Sequence, residues 1–131
     1  MKYLRSILLI DDDSISNYLV KIQLNSLKKQ YPYQIASNVA EALTYLKTLS
    51  KSSKVLVLLD IHMPVLNGFE FLEHLKNNKE IDIDLLDIVI ISSSIAQVDV
   101  DKAKSIGIHK FLVKPILLEN LQEIINDFEL V

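Results

Sequence analysis

The chain has 131 residues, with 14 Lys plus Arg against 17 Asp plus Glu, a net charge of -3, two Gly, three Pro and no Cys, and half of it is hydrophobic. That length suits one compact domain, and the composition excludes a disordered or collagen-like polymer. The charge supplies no basic face to release counterions from a nucleic-acid backbone, and the missing Cys removes disulfides, thiolate zinc sites and cysteine nucleophiles together, which agrees with a reducing, cytoplasmic setting.

In chain order, an apolar run over residues 6–10 predicts a first strand, followed at once by Asp11, Asp12 and Asp13. Leu19, Val20, Leu24 and Leu27 then recur at helical spacing as a stripe for the sheet, while Ile15, Tyr18 and Ile22 form a second stripe on nearly the opposite side. Residues 34–36 predict the second strand. Val39, Leu43, Leu46 and Leu49 predict the helix after it, with Asn38 as N-cap three residues before Glu41. The third strand covers 55–59 and ends at Asp60. Turn chemistry at Met63-Pro64 and Gly68 precedes a helix carrying Phe69, Leu72 and Leu75. A long polar connection over 79–87 holds Asp82, Asp84 and Asp87 but lacks the Gly of a calcium loop, so it reads as a solvated loop. A fourth strand over 88–91 leads into Ser92, Ser93 and Ser94, and a helix with Ala103 and Ile106 is closed by Gly107. The fifth strand, 111–113, runs into Lys114-Pro115, and Leu118, Leu121, Ile125 and Phe128 mark the last helix. Apolar runs of five residues or fewer leave no candidate for a signal peptide or membrane span.

Five strand-helix alternations with short connections predict an α/β fold, (βα)5, with a parallel sheet covered on both faces. In such sheets ligands bind beyond the carboxyl ends of the strands. Asp11, Asp12, Asp60, Ser92 and Lys114 all fall there, so residues far apart in sequence should meet on one rim. Taken singly, each is an ordinary turn, cap or surface residue; together they carry chemistry. Three carboxylates in one crevice repel one another, and Mg2+ answers that repulsion through hard oxygen ligands while leaving positions for phosphate oxygens. Lys114 then supplies a point charge and Ser92 a donor for phosphoryl oxygens, and Asp60 is the natural nucleophile.

The pieces ILLIDDDS, LLDIHMPVLNG, IISSS and FLVKP, in that order and across essentially the whole chain, resemble the response regulator receiver domain of two-component signalling. The resemblance implies a flavodoxin-like strand order of 2-1-3-4-5 and a signalling domain rather than an enzyme, one that sheds its phosphoryl group slowly. It implies that Asp60 accepts a phosphoryl group from a phosphohistidine on a sensor histidine kinase or histidine phosphotransfer protein. Asp12, Asp60 and the backbone carbonyl of His62 would hold Mg2+ directly, with Asp11 acting through water. Ser92 and Lys114 would contact the phosphoryl oxygens. Phe111 would stand at the aromatic switch position, and phosphorylation would rearrange the surface of the fourth helix and the fourth and fifth strands to control an unnamed protein target. His62, two residues after the acceptor, faces the phosphoryl group in similar domains, and Lys114-Pro115 matches the position of a cis peptide.

The expected organisation is one receiver domain over 1–131 with no output domain attached. Because the first helix starts beside the rim, Ile15, Tyr18 and Ile22 are a candidate docking patch for the helical bundle bearing the phosphohistidine. Asp13 has no separate part in the pattern and reads as a solvated residue near a helix start. Two other readings are weighed. Haloacid dehalogenase-like phosphatases resemble the chain in Asp11-x-Asp13, Ser92 and Lys114, but would leave Asp60 unused and need a further acidic motif. A phosphorylation-independent module keeps the fold without the chemistry, whereas this chain retains every acidic residue and the Lys.

Overall fold

A computed structural model describes residues 4–49, 53–63 and 67–130. Its elements are β1 (Leu4–Ile10), α1 (Ser14–Ser26), β2 (Tyr33–Ala36), α2 (Val39–Thr48), β3 (Ser53–Asp60), α3 (Gly68–Asn77), β4 (Leu86–Ser92), α4 (Gln97–Ser105), β5 (Phe111–Val113) and α5 (Leu118–Glu129), with a short 3-10 turn at Ile83–Leu85. All strand pairs are parallel, in the order β2-β1-β3-β4-β5. The (βα)5 expectation and the 2-1-3-4-5 order both hold.

The central strands read as unbroken apolar runs because both faces of the sheet are covered. Val55, Val57 and Leu59 of β3 join Val39, Ala42 and Leu46 of α2 and Phe71, Leu72 and Leu75 of α3 in one core. The alternate residues, Leu56 and Leu58, join Val20 and Leu24 of α1 and Leu121, Ile125 and Phe128 of α5 in the other. The period-two alternation of a strand thus sorts one sequence run into two cores.

Observed strands run one or two residues past the apolar runs, since backbone pairing continues through polar side chains such as Arg5 opposite Lys54. Leu19 departs from the expected stripe: it is 46% exposed and belongs with Ile15, Tyr18 and Ile22 on the outer side of α1. The inner face is instead Asn17, Val20 and Leu24. The 79–87 connection is shorter than it reads, because the 3-10 turn and the first residues of β4 occupy its second half. Asp82 caps that turn by accepting from the Asp84 amide at 3.0 Å, and Asp87 pairs with Lys110 at 3.2 Å.

Helix ends follow local chemistry. The Asn38 side chain accepts from the Glu41 amide at 2.9 Å while the Glu41 carboxylate accepts from the Ser37 amide, also at 2.9 Å. At the end of α4, Gly107 at φ 88° lets the Gly107 amide reach the Lys104 carbonyl and the Ile108 amide the Ala103 carbonyl. The start of α4 has no side-chain cap, and Ala103 is its one buried residue. Of the expected turn before α3, Pro64 lies outside the described residues, and Gly68 is the first residue of the helix, behind an Asn67 cap on Glu70.

Gly68 is needed for closeness. A Cβ there would stand 3.0 Å from both Ile61 Cα and Ile61 Cγ2 and 3.1 Å from the Asp60 carbonyl oxygen. Gly68→Ala should therefore push α3 away from the end of β3 and lower stability by about 1–3 kcal/mol, measured by urea denaturation. An unchanged midpoint would show that the contact relaxes freely.

Candidate functional site

The carboxyl ends of four strands converge. Asp11 follows β1, Asp60 is the last residue of β3, Ser92 is the last of β4, and Lys114 follows β5. The Lys114 backbone amide donates to the Ser92 carbonyl at 2.8 Å, continuing the β4–β5 ladder and aiming the lysine across the strand ends. Its ammonium lies 2.6 Å from Asp11 Oδ2 and 3.2 Å from Asp60 Oδ2. Residues 11, 60 and 114 thus form one ionic group although 103 positions separate the first from the last.

The other carboxylate oxygens are placed by backbone. Asp60 Oδ1 accepts from the His62 amide at 2.9 Å, and Asp11 Oδ1 accepts from the Asp13 amide at 2.9 Å. Asp11, Asp60 and Ser92 are buried, whereas Asp12 is exposed. Ligand oxygens of Asp11, Asp12 and Asp60 nevertheless all lie within 4.8 Å of one another.

Burial, opposed by the Lys114 ammonium and the Asp13 amide, pushes the Asp11 carboxyl up to about 6. Burial also pulls on Lys114 in the downward direction, but its ion pairs with Asp11 and Asp60 outweigh that and raise it. A site of three carboxylates against one ammonium holds an excess of negative charge at neutral pH. An all-oxygen donor set of this kind suits a hard divalent cation, so these residues fit a metal ion.

The remaining expected site residues fall on or near this rim. The Ser92 hydroxyl donates to the Ser94 carbonyl at 2.6 Å and accepts from the Ser94 amide at 3.2 Å, so its proton is committed to the β4–α4 loop. The His62 side chain is exposed beside Asp60. Phe111 is half-buried against the core shared with α2 and α3. Lys114-Pro115 is cis. Asp13 is solvated and caps α1: it accepts from the Ile15 and Ser16 amides and the Ser16 hydroxyl, bonds that hold its carboxyl below the usual range.

Two neighbours went unread in the sequence. The Asn17 side chain donates to the Asp11 carbonyl at 2.8 Å in a buried bond, and Gln23 donates to the Ile116 carbonyl just beyond Pro115. The signal for Asn17 was its place, three and seven residues before Val20 and Leu24 on the stripe that faces the sheet.

Ile15, Tyr18, Leu19 and Ile22 are 71%, 64%, 46% and 46% exposed, an apolar strip along the outside of α1. Leu19 also helps line a cavity of about 140 Å³ with Leu117, Pro115, Asp11 and Lys114, so the strip leads into the ionic group.

Comparison with known proteins agrees with this geometry. The family model for the response regulator receiver domain matches residues 7–126. A transcriptional regulatory protein, MalR of Bacillus subtilis, is 29% identical over 123 residues, covering 94% of this chain and 49% of that protein. The two-component response regulator ARR14 of Arabidopsis thaliana is 33% identical over 118 residues, covering 90% of this chain and 29% of that protein. The chain thus spans no more than about half the length of these relatives. Among solved structures, a two-component response regulator from Legionella pneumophila superposes with a TM-score of 0.81 at 23% identity, covering 96% of this chain and 98% of that one. The bacteriophytochrome response regulator AtBRR gives 0.76 at 25% identity, covering 98% and 94%. With five parallel strands in the matching order and an acidic pocket at their carboxyl ends, the chain belongs to the response regulator receiver domain family of two-component signalling.

Proposed function

We propose that this receiver accepts a phosphoryl group on Asp60 from a phosphohistidine of a sensor histidine kinase or histidine phosphotransfer protein. The observation that carries the reading is the ionic group itself: a buried nucleophile at a strand end, bridged to Asp11 by Lys114 and held beside Asp12. In the transfer an Asp60 oxygen forms a bond to phosphorus, the phosphorus–nitrogen bond breaks, and its electron pair stays on the donor imidazole. Asp12, Asp60 and the His62 carbonyl would hold Mg2+, with Asp11 acting through water. When bound, the ion neutralises charge on the transferring phosphoryl oxygens.

Lys114 stays within reach of those oxygens and offsets their charge. Ser92 has to release the Ser94 carbonyl before its hydroxyl can donate to a phosphoryl oxygen. That exchange frees the β4–α4 loop, so acceptance of the group is coupled to the surface of α4, β4 and β5, with Phe111 moving by packing alone. The same surface would meet a downstream protein target, and the bound group would be lost slowly to water. The proposal puts the chain in the cytoplasm with its donor. No helix among the described residues is long and apolar enough to cross a membrane.

The outer strip of α1, now including Leu19, is proposed as the docking patch for the donor's helical bundle. Ile15→Asp should slow transfer from a cognate kinase by roughly tenfold or more, the scale of one lost apolar anchor. It should leave labelling by acetyl phosphate unchanged; equal transfer rates for variant and wild type would remove the patch from the interface.

Intact-protein mass spectrometry after incubation with Mg2+ and acetyl phosphate tests the central reading. Wild type should gain one phosphoryl group, and Asp60→Asn none. Phosphate release that depends on Asp11 and not on Asp60 would replace this reading with a phosphatase. Neither gain nor release by the folded protein would leave an interaction module.

A further inference from the structure

The chain is held on both sides of Asp12: the Asp13 amide, which belongs to the peptide joining Asp12 to Asp13, donates to Asp11 Oδ1 at 2.9 Å, and the next groups outward are fixed as well. The Asp11 amide donates to the Ala36 carbonyl at 3.1 Å, and the Asp13 carbonyl accepts from the Asn17 amide at 3.0 Å. The Asp11 carbonyl, which belongs to the peptide joining Asp11 to Asp12, accepts from the Asn17 side chain at 2.8 Å. One residue of α1 therefore grips the chain on both sides of Asp12, with its side chain before and its backbone after. The direction of the exposed Asp12 side chain is set by the peptide planes on either side of it.

As a stabiliser of the fold, Asn17 is a poor choice. It occupies the buried stripe with Val20 and Leu24, where an aliphatic side chain would simply fill space. Its Oδ1 is buried with no hydrogen-bond partner among the described residues. A half-satisfied buried amide burdens a helix-sheet interface, and such departures from local rules gather at functional sites.

We propose that Asn17 is a positioning residue: by clamping the Asp11 carbonyl it orients the Asp11–Asp12 peptide so that the Asp12 carboxylate converges with those of Asp11 and Asp60. The inference rests on the phosphoacceptor reading, in which Asp12 is a metal ligand. Its backbone grip on Asp13 survives substitution, so changing the side chain removes the clamp alone.

The test compares Asn17→Leu with Leu24→Ala, a cavity-forming change on the same face of the same helix, about two turns further from the site. Titration calorimetry with MgCl2 at constant ionic strength should show Asn17→Leu weakened roughly 10- to 100-fold, as for other outer-shell partners of metal ligands. Its Tm should stay within about 5 °C of wild type, because one lost hydrogen bond is offset by removal of the orphaned oxygen. Leu24→Ala should show the larger drop in Tm with Mg2+ affinity within about twofold of wild type. A second readout needs no metal: the amide NMR resonances of Asp12 and Asp13 should shift in Asn17→Leu and hold in Leu24→Ala. Wild-type affinity in Asn17→Leu, equal weakening in both variants, or unmoved Asp12 and Asp13 resonances would each overturn the positioning role. If wild type itself bound no Mg2+, the phosphoacceptor reading would fail, and the metal-free resonances would still decide whether Asn17 orients Asp12.

Discussion

Lys114→Met is expected to lower the rate of labelling by acetyl phosphate at least about 100-fold, the scale seen when one preorganised charge is removed from a transition state. The same variant, free of metal, should lose roughly 2–4 kcal/mol of stability at pH 7.5, because breaking a buried ion pair leaves its partners uncompensated. Here the partners are two carboxylates, Asp11 and Asp60, which Lys114 contacts at 2.6 Å and 3.2 Å. The raised ionisation of Lys114 contributes stability below its usual value of 10.5; at pH 5 Asp11 is mostly protonated in the wild type as well, so the pair with Asp60 is what remains of that contribution there. In the variant, Asp11 loses the ammonium that opposes its burial and rises above its present value of about 6. Protonation of Asp11 then relieves the repulsion, so most of the lost stability should return at pH 5. Urea denaturation at the two pH values checks this, and an equal loss at both would show that Lys114 acts by packing instead of charge.

Asp11→Asn should move stability in the opposite direction. A carboxyl whose folded-state value is raised from 3.8 to about 6 binds its proton more tightly in the native state than in the unfolded chain. Native stability therefore falls as pH rises between those two values, and at pH 7.5 the full penalty is present. A rise of that size corresponds to at most about 3 kcal/mol and is already net of the ion pair to Lys114, so a gain of about 1–3 kcal/mol is expected. Metal-free Asp11→Asn should accordingly melt about 3–8 °C above wild type at pH 7.5 and equal it near pH 4. Its Mg2+ affinity should fall at least about tenfold. A variant no more stable than wild type at pH 7.5 would mean that Lys114 fully compensates the buried charge.

The architecture was legible because each strand is a short apolar run and each helix carries its own period, and because Asn38, Glu41 and Gly107 announce helix ends through local chemistry that tertiary packing leaves intact. The rim residues were legible for a different reason: a position directly after a strand has one place to go in a parallel sheet. What stayed hidden depended on contacts between distant segments. Leu19 reads as core by spacing, yet the rotation of α1 on the sheet puts Asn17 inward and Leu19 at the edge of the Pro115 loop. Ser92 falls at the strand end where its spacing puts it, but its hydroxyl faces Ser94, a choice made by loop geometry that no residue pattern records. Gly68 reads as a turn, whereas its true constraint is the backbone of Ile61 across the β3–α3 junction.

Helix α4 is fastened at one end and almost free at the other: Gly107 closes its last turn, Ala103 alone is buried, and Ala96 offers no side chain to its first turn. An element held this way can be repositioned at small energetic cost, and small cost works in both directions. Under the proposed coupling through Ser92, whatever free energy the phosphoryl group spends on moving α4, a protein that grips the moved α4 returns to the phosphoryl site. Thermodynamic linkage requires the two effects to be equal. The target would then be more than a reader of the signal: by holding α4 in place it would shift the equilibrium toward the phosphorylated state and tell the receiver that its message had been delivered.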